Sequence, residues 1–149
     1  MKNYQINNRT LAIIPIKNKI SKIIEIDGEF YVNENPIKII DNSCKYFGSS
    51  YEGRHVGTLN LIGKGYKTPI IIEERNNIIF FPTLSAKSKD CCWISLNNLE
   101  KYVVDNINSI VIFKNGYKLN LNISYGSLEN QIYKSTLLDS TIRKRQKIF

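Results

Sequence analysis

The sequence has few of the residues from which metal centres and disulfide frameworks are built. It contains one histidine and three cysteines in 149 residues, and Cys91 and Cys92 are adjacent. Adjacent cysteines do not have a chelating spacing, and an odd number of cysteines does not indicate a disulfide framework. We therefore expect no metal and no other cofactor, and we expect the protein to reside in a reducing cytoplasm.

Catalytic motifs are also scarce. The single histidine, His55, could serve as the base for a Cys44 nucleophile only if the fold brought the two side chains together. The segment Gly63-Lys64-Gly65 is too short for a Walker-type phosphate loop, and it follows a predicted helix instead of a strand. The sequence therefore favours a binding protein over an enzyme.

Long apolar segments are missing as well. The longest apolar runs, Leu11 to Ile16 and Ile78 to Pro82, are much shorter than the roughly 20 residues of a membrane span. The first run is also shorter than the core of a secretory signal, which has about 7 to 15 residues. We expect no membrane segment, and the chain is long enough for one domain, residues 1–149, with its own core.

The hydrophobic pattern alternates between strand and helix periods. It predicts strands at 11–16, 22–26, 29–32, 69–73, 78–81, 92–96, 110–114 and 117–123. Tight hairpin turns are predicted at Asp27-Gly28 and at Asn115-Gly116, whose residues suit positive backbone angles. A final helix, from about Ser127, carries its apolar side chains on one side and ends in a basic tail at 140–149.

A two-helix insertion interrupts the strands at about 36–63. Asn35 is the predicted cap of its first helix, and Gly48 is the predicted terminator. Ser49 and Glu52 have the spacing of a capping box for the second helix. The predicted fold class is α+β, with antiparallel hairpins in a pleckstrin-like mixed sheet or sandwich, the two-helix insertion and a C-terminal helix.

Acidic residues are outnumbered. There are 13 of them against 21 Lys and Arg, which leaves a net charge of +8 and a pI near 9.4. Ile, Asn and Lys, which have AT-rich codons, make up 59 residues, so codon usage explains part of the excess. However, residues 1–42, 43–89, 90–139 and 140–149 carry +1, +4, −1 and +4. This clustering favours a site for a polyanion.

Nine basic residues in the two positive segments are the candidate DNA contacts. They are Arg54, His55, Lys64, Lys67, Lys87, Lys89, Arg143, Lys144 and Arg145. Arg54 and His55 lie between Gly53 and Gly57 near a helix start. This position suits three alternatives: phosphate approach, a helix-turn-helix or plain helix packing.

The lysines could enter a DNA groove or be solvated surface, and the tail could contact phosphates or an anionic membrane. We expect both segments to form one surface.

Five segments of the chain together match the pattern of a known family: 22–32 (KIIEIDGEFYV), 43–63 (SCKYFGSSYEGRHVGTLNLIG), 79–82 (IFFP), 93–99 (WISLNNL) and 111–133 (VIFKNGYKLNLNISYGSLENQIY). They resemble the ComK family of competence transcription factors from low-GC Gram-positive bacteria. The order of these segments also follows the family pattern, and SSYEGR with FKNGYKL is a specific pair. Within the family's SYEGR segment, residues 50–54 here, only Arg54 is assigned a DNA contact.

The resemblance implies a cytoplasmic, nucleoid-associated activator of DNA-uptake and recombination genes. Such a protein would bind A·T-rich promoter boxes on double-stranded DNA, through the minor groove and as a dimer or tetramer. A proteolysis adaptor and RNA polymerase are its implied protein partners, and no membrane is expected. The alternative from the residue pattern is a pleckstrin-like module that binds anionic lipid or a peptide.

Overall fold

The computed structural model describes residues 3–63, 65 and 67–146. The strands are β1 (Thr10–Lys17), β2 (Ile20–Glu25), β3 (Gly28–Val32), β4 (Ile70–Glu73), β5 (Ile78–Pro82), β6 (Trp93–Ser95), β7 (Leu99–Asp105), β8 (Asn108–Phe113) and β9 (Lys118–Leu121). The helices are α1 (Pro36–Tyr46), α2 (Tyr51–Ile62) and α3 (Tyr125–Gln146).

The strands form two antiparallel sheets. One has six strands in the order β3-β2-β1-β6-β5-β4, and the other has three in the order β7-β8-β9. The α+β prediction, with its two-helix insertion and C-terminal helix, is therefore confirmed. This strand order does not establish the pleckstrin-like arrangement.

Both faces of the six-stranded sheet are buried. On one face, Ile13, Ile23 and Trp93 pack with Ile40 and Cys44 of α1. The opposite face packs on the three-stranded sheet and on α3. Helix α2 contacts α1, β4 and α3, so it lies along the β4 edge and joins the helices of the two faces.

The β2–β3 hairpin is present, but its turn is one residue earlier than predicted. Glu25 pairs with Gly28, so the two loop residues are Ile26 and Asp27, and neither has a positive φ. The Ile26 N–H donates to the Arg9 carbonyl, and Asp27 forms an ion pair with Arg9 at 2.6 Å. These contacts hold the turn in place. In the β8–β9 turn, by contrast, Gly116 has φ +92° as predicted.

Helix α1 begins and ends where the sequence predicts. Asn35 precedes Pro36, but its side-chain oxygen accepts the Lys19 N–H at 2.6 Å instead of capping the helix. At the other end Gly48 has φ +86°, and its N–H donates to the Lys45 carbonyl. This left-handed residue ends the helix in a Schellman motif.

Helix α2 begins one residue later than predicted. Its cap is Ser50, whose hydroxyl accepts the Gly53 N–H at 3.0 Å, so the predicted Ser49–Glu52 capping box is wrong. The Ser49 N–H is used to close α1, because it donates to the Cys44 carbonyl.

Strand β7 is not predicted by its residue pattern. Its burial does not alternate, because five of its seven side chains are exposed, and the two half-buried ones are Leu99 and Tyr102. Among the described strands, it pairs only with β8. In the part of the chain that the structure describes, no helix has the length and apolar character needed to cross a membrane.

Candidate nucleic-acid interface

Three exposed lysines, one at the end of β1 and two in the loop before β6, surround one groove, and we call them the loop surface: Lys17, Lys87 and Lys89. The groove has a volume of about 610 Å³. Strand pairing explains the proximity, because Ile13 of β1 lies opposite Trp93 of β6. The end of β1 is therefore next to the loop that enters β6. Among the described residues, no carboxylate lies within 4.0 Å of these three ammonium groups.

The loop that carries two of these lysines, residues 83–92, is anchored at both ends. The Thr83 N–H donates to the Cys92 carbonyl, and the Cys92 N–H donates to the Thr83 hydroxyl at 3.0 Å. Cys91 is buried in the core, and burial raises the pKa of its thiol. With its ends fixed in this way, the loop presents Lys87 and Lys89 to solvent.

The first turn of α1 lines the same groove. Asn35 and Pro36 are among its lining residues, and the Asn35 side chain makes no cap hydrogen bond. The partial positive charge of the helix start therefore adds to that of the lysines. Asp90 also lines the groove and is the acidic side chain there, so the lysines outnumber the acids. This arrangement can attract phosphate groups.

Lys67 lies at the same end of the sheet, one residue before Thr68 leads into β4. Its carbonyl accepts a hydrogen bond from the Gln131 amide of α3 at 2.7 Å, and the same amide donates to the Pro82 carbonyl at 2.8 Å. The pKa of Lys134 is lowered, first by burial and then by the charge of Lys67. These two cations are therefore neighbours. Lys64, another candidate, lies outside the described residues.

Arg54 and His55 are half-buried. Arg54 Nε and His55 Nδ1 are buried and have no hydrogen-bond partner in the described part of the chain. The His55 ring stacks on Tyr51, with 5.7 Å between ring centroids and 11° between planes. Both side chains thus pack against the protein and do not extend fully into solvent, which leaves less of each one available to a DNA groove.

The neighbouring glycines do not mark a close approach of a second backbone within the described part of the chain. A Cβ at Gly53 would lie 3.0 Å from the Ser49 hydroxyl and 3.2 Å from the Ser50 hydroxyl, so this glycine makes room for the serines at the helix start. A Cβ at Gly57 would meet nothing within 4 Å. Gly57 leaves open space beside the helix, so phosphate approach there stays a prediction.

The basic tail lies at the other end of the six-stranded sheet. Gln146 donates to the Glu74 carbonyl at 3.4 Å, at the turn after β4, whereas Lys67 lies before the start of β4. At 1.5 Å per residue, α3 separates Gln131 from Gln146 by about 22 Å. The expectation that both positive segments form one surface is wrong for Lys67, Lys87 and Lys89, because β4 and α3 hold these three candidates apart from the tail.

Within the tail, the three candidate residues differ. Arg143 forms an ion pair with Asp139 one turn earlier, at 3.0 Å. Lys144 and Arg145 are exposed, and neither has a carboxylate within 4.0 Å in the described ranges. Lys144 and Arg145 are therefore the tail residues best placed to contact phosphates.

Lys17 lines the same groove and is a candidate that the sequence pattern does not indicate. It lies in the segment 1–42, which is close to neutral, and is far in sequence from Lys87 and Lys89. The sequence feature that could have indicated Lys17 is its position directly after the predicted strand 11–16. That signal becomes informative only when the pairing of β1 with β6 is known.

The arrangement offers no support for thiol chemistry at Cys44. Its side chain is fully buried, and burial raises the pKa of the thiol to about 12. The charge of Arg54 lowers this pKa, but its effect is smaller than that of burial. The thiol is therefore neutral at physiological pH. In ranges 3–63, 65 and 67–146, no group of three or more His, Cys, Asp or Glu side chains could hold a metal ion.

Comparisons with known proteins agree with the resemblance seen in the sequence. The family described as "ComK protein" matches residues 1–147. The competence transcription factor of Bacillus subtilis (strain 168) is 41% identical over 149 aligned positions, which cover 97% of this chain and 78% of that relative. No solved structure matches the chain.

Proposed function

The chain belongs to the ComK family, and from this membership we propose that it is a transcription factor that activates competence genes by binding A·T-rich promoter boxes. The observation that carries the proposal is the 41% identity to a competence transcription factor across nearly the whole chain. The site of action would be the cytoplasm, at the nucleoid. Two or four copies would bind together, and RNA polymerase and a proteolysis adaptor would be further partners.

The loop surface is the region that we assign to the DNA. The minor groove of A·T-rich DNA is narrow and strongly negative, and it attracts Lys and Arg side chains. Lys87 and Lys89 on one loop and Lys17 at the end of β1 present three cations around a single groove, and among the described residues none of them has a carboxylate within 4.0 Å. They would contact the phosphates on both sides of the minor groove, and the exposed tail would add sequence-independent phosphate contacts.

The proposal is tested by binding to duplexes that separate the two grooves. Replacing A·T pairs by inosine·cytosine pairs preserves the minor-groove pattern of acceptors but changes the major groove. We expect the protein to bind an A·T box and its inosine·cytosine version with similar affinity, and to bind a G·C version more weakly. Equal affinity for all three duplexes would contradict minor-groove recognition. Recovery with anionic vesicles and no duplex binding would favour the lipid-binding alternative.

A further inference from the structure

Strand β7 is an edge strand with an unusually open outer side. It pairs with β8 on one side, and no described strand or helix pairs with it on the other. Val104 is 61% exposed, and Ile107, in the turn after β7, is 82% exposed. Residues 101–105 pair with β8 without a bulge, and they include no proline. A regular edge with exposed apolar side chains is a template for another strand.

The hairpin register shows which backbone groups are available. Asp105 pairs with Asn108 across the two-residue loop Asn106–Ile107, so this pair exchanges hydrogen bonds within the hairpin. Because bonded and non-bonded pairs alternate along an antiparallel ladder, Val104 and Tyr102 direct their backbone N–H and C=O groups outward. An incoming strand would bond to these two residues.

The charges on β7 select one kind of partner. Lys101, Val103 and Asp105 alternate along the strand, so they share one face of the three-stranded sheet. If a second β7 pairs antiparallel about a two-fold axis at Val103, Lys101 lies opposite Asp105 of the partner subunit. The two-fold symmetry gives two such Lys–Asp pairs in the dimer. Moving the axis to Tyr102 places Lys101 opposite a valine, and moving it to Val104 places Asp105 opposite a valine.

We propose that the protein dimerises by antiparallel pairing of the two β7 strands about Val103. The pairing joins two three-stranded sheets into one continuous six-stranded sheet. On the inner face, Tyr102 lies opposite Val104 of the partner subunit, and two Lys–Asp pairs form on the outer face. That the protein acts as paired copies comes from the proposed function. The location and register of the pairing come from strand β7 itself.

Charge reversal tests the register. Sedimentation of the full chain without DNA measures the dissociation constant of the dimer. Lys101→Glu replaces both attractive pairs by Glu–Asp pairs, and Asp105→Lys replaces both by Lys–Lys pairs. Each substitution replaces two attractive cross-strand pairs by two repulsive ones, so we expect it to weaken the dimer about tenfold or more.

Two rescue measurements make the test specific. The double variant Lys101→Glu/Asp105→Lys restores opposite charges at both pairs and should dimerise like the original chain. An equal mixture of the two single variants should form heterodimers, because the introduced glutamate of one chain then faces the introduced lysine of the other, and the remaining pair is the original Lys–Asp pair. Lys118→Glu makes the same charge change on β9, away from the β7 edge, and should leave the dimer unchanged.

Circular dichroism and thermal unfolding of each variant show whether the fold is retained. The proposal is overturned if the original chain is a monomer, if either folded single variant dimerises normally, or if neither the double variant nor the mixture restores the dimer. Because no DNA is present, an intact dimer that fails to bind A·T boxes would count against the proposed function alone.

Discussion

The Gln131 amide donates a hydrogen bond to the Pro82 carbonyl at 2.8 Å, from the buried side of α3 to the end of β5. The same amide nitrogen donates to the Lys67 carbonyl, so one side chain joins the helix, the central sheet and the loop before β4. The candidate cations on these loops therefore depend on a polar contact inside the protein.

Replacing Gln131 tests this contact. Gln131→Met keeps most of the side-chain volume but leaves two carbonyls without their donor. We expect the free energy of unfolding to fall by about 2 kcal/mol, although removing the buried, unpartnered Oε1 offsets part of the cost. Urea unfolding measures the change. Asn130→Ala, at an exposed neighbouring position, serves as the control, and an equal effect of both substitutions would show that the amide bridge contributes little.

The salt dependence of DNA binding tests the loop surface. Each phosphate contact contributes about 0.9 to the slope of log affinity against log salt. Lys87→Gln with Lys89→Gln should therefore reduce the magnitude of this slope by about 1.8 on an A·T-box duplex. Fluorescence anisotropy over a salt series gives the value.

The matched control for this pair removes two charges elsewhere. Lys114→Gln with Lys118→Gln changes the β8–β9 hairpin, whose Asn115 side chain donates to the Ile26 carbonyl at the far end of β2 from Lys17. We expect its slope to match that of the original chain. A larger slope change in the control than in the loop-surface variant would indicate that DNA binds at the β8–β9 hairpin instead of the loop surface.

The tail and the loop surface should act independently. They lie at opposite ends of the sheet, and free-energy changes at distant sites are additive within about 0.5 kcal/mol. Lys144→Gln should weaken binding equally on target and non-target duplexes, because a phosphate contact does not read bases. A double-mutant cycle with Lys87→Gln measures the coupling, and a value well above about 0.5 kcal/mol would show that the two regions contact the DNA as a unit.

Stability should decline in alkaline solution because of a buried thiol. Burial raises the pKa of Cys44 from an ordinary 9.0 to about 12. Between these values the unfolded chain releases the thiol proton and the folded chain retains it, so stability present below pH 9 is lost as the pH rises. The contribution of Cys44 is at most about 1.4 kcal/mol per pH unit.

Urea unfolding from neutral to alkaline pH, up to about pH 10.5, measures this decline. Cys44→Ala removes the titrating group and should give a shallower decline than the original chain, at some cost in stability near neutral pH. Cys92, whose pKa burial raises to about 11, keeps its own contribution in both proteins. Identical pH profiles would show that the Cys44 thiol does not contribute.

Local signals predicted much of the fold. Pro36 and Gly48 mark the ends of α1, and Asn115-Gly116 marks a hairpin, because each acts through its own backbone angles or hydrogen bonds to near neighbours. The errors occur where a distant group competes. The Arg9 contacts determine the β2–β3 turn, and the closure of α1 uses the Ser49 N–H that was expected to start α2. Strand β7 has no buried face, so its sequence lacks the alternation that indicates a strand.

The sequence by itself determined the charge excess, the family and the ends of several helices and turns, since these depend on composition or on residues close in the chain. Only the tertiary structure decided which cations meet. Pairing of β1 with β6 brings Lys17 to Lys87, while β4 and α3 keep the tail away from both. The physical reason is that strand pairing and helix packing join residues far apart in the chain, and no local pattern records those partners.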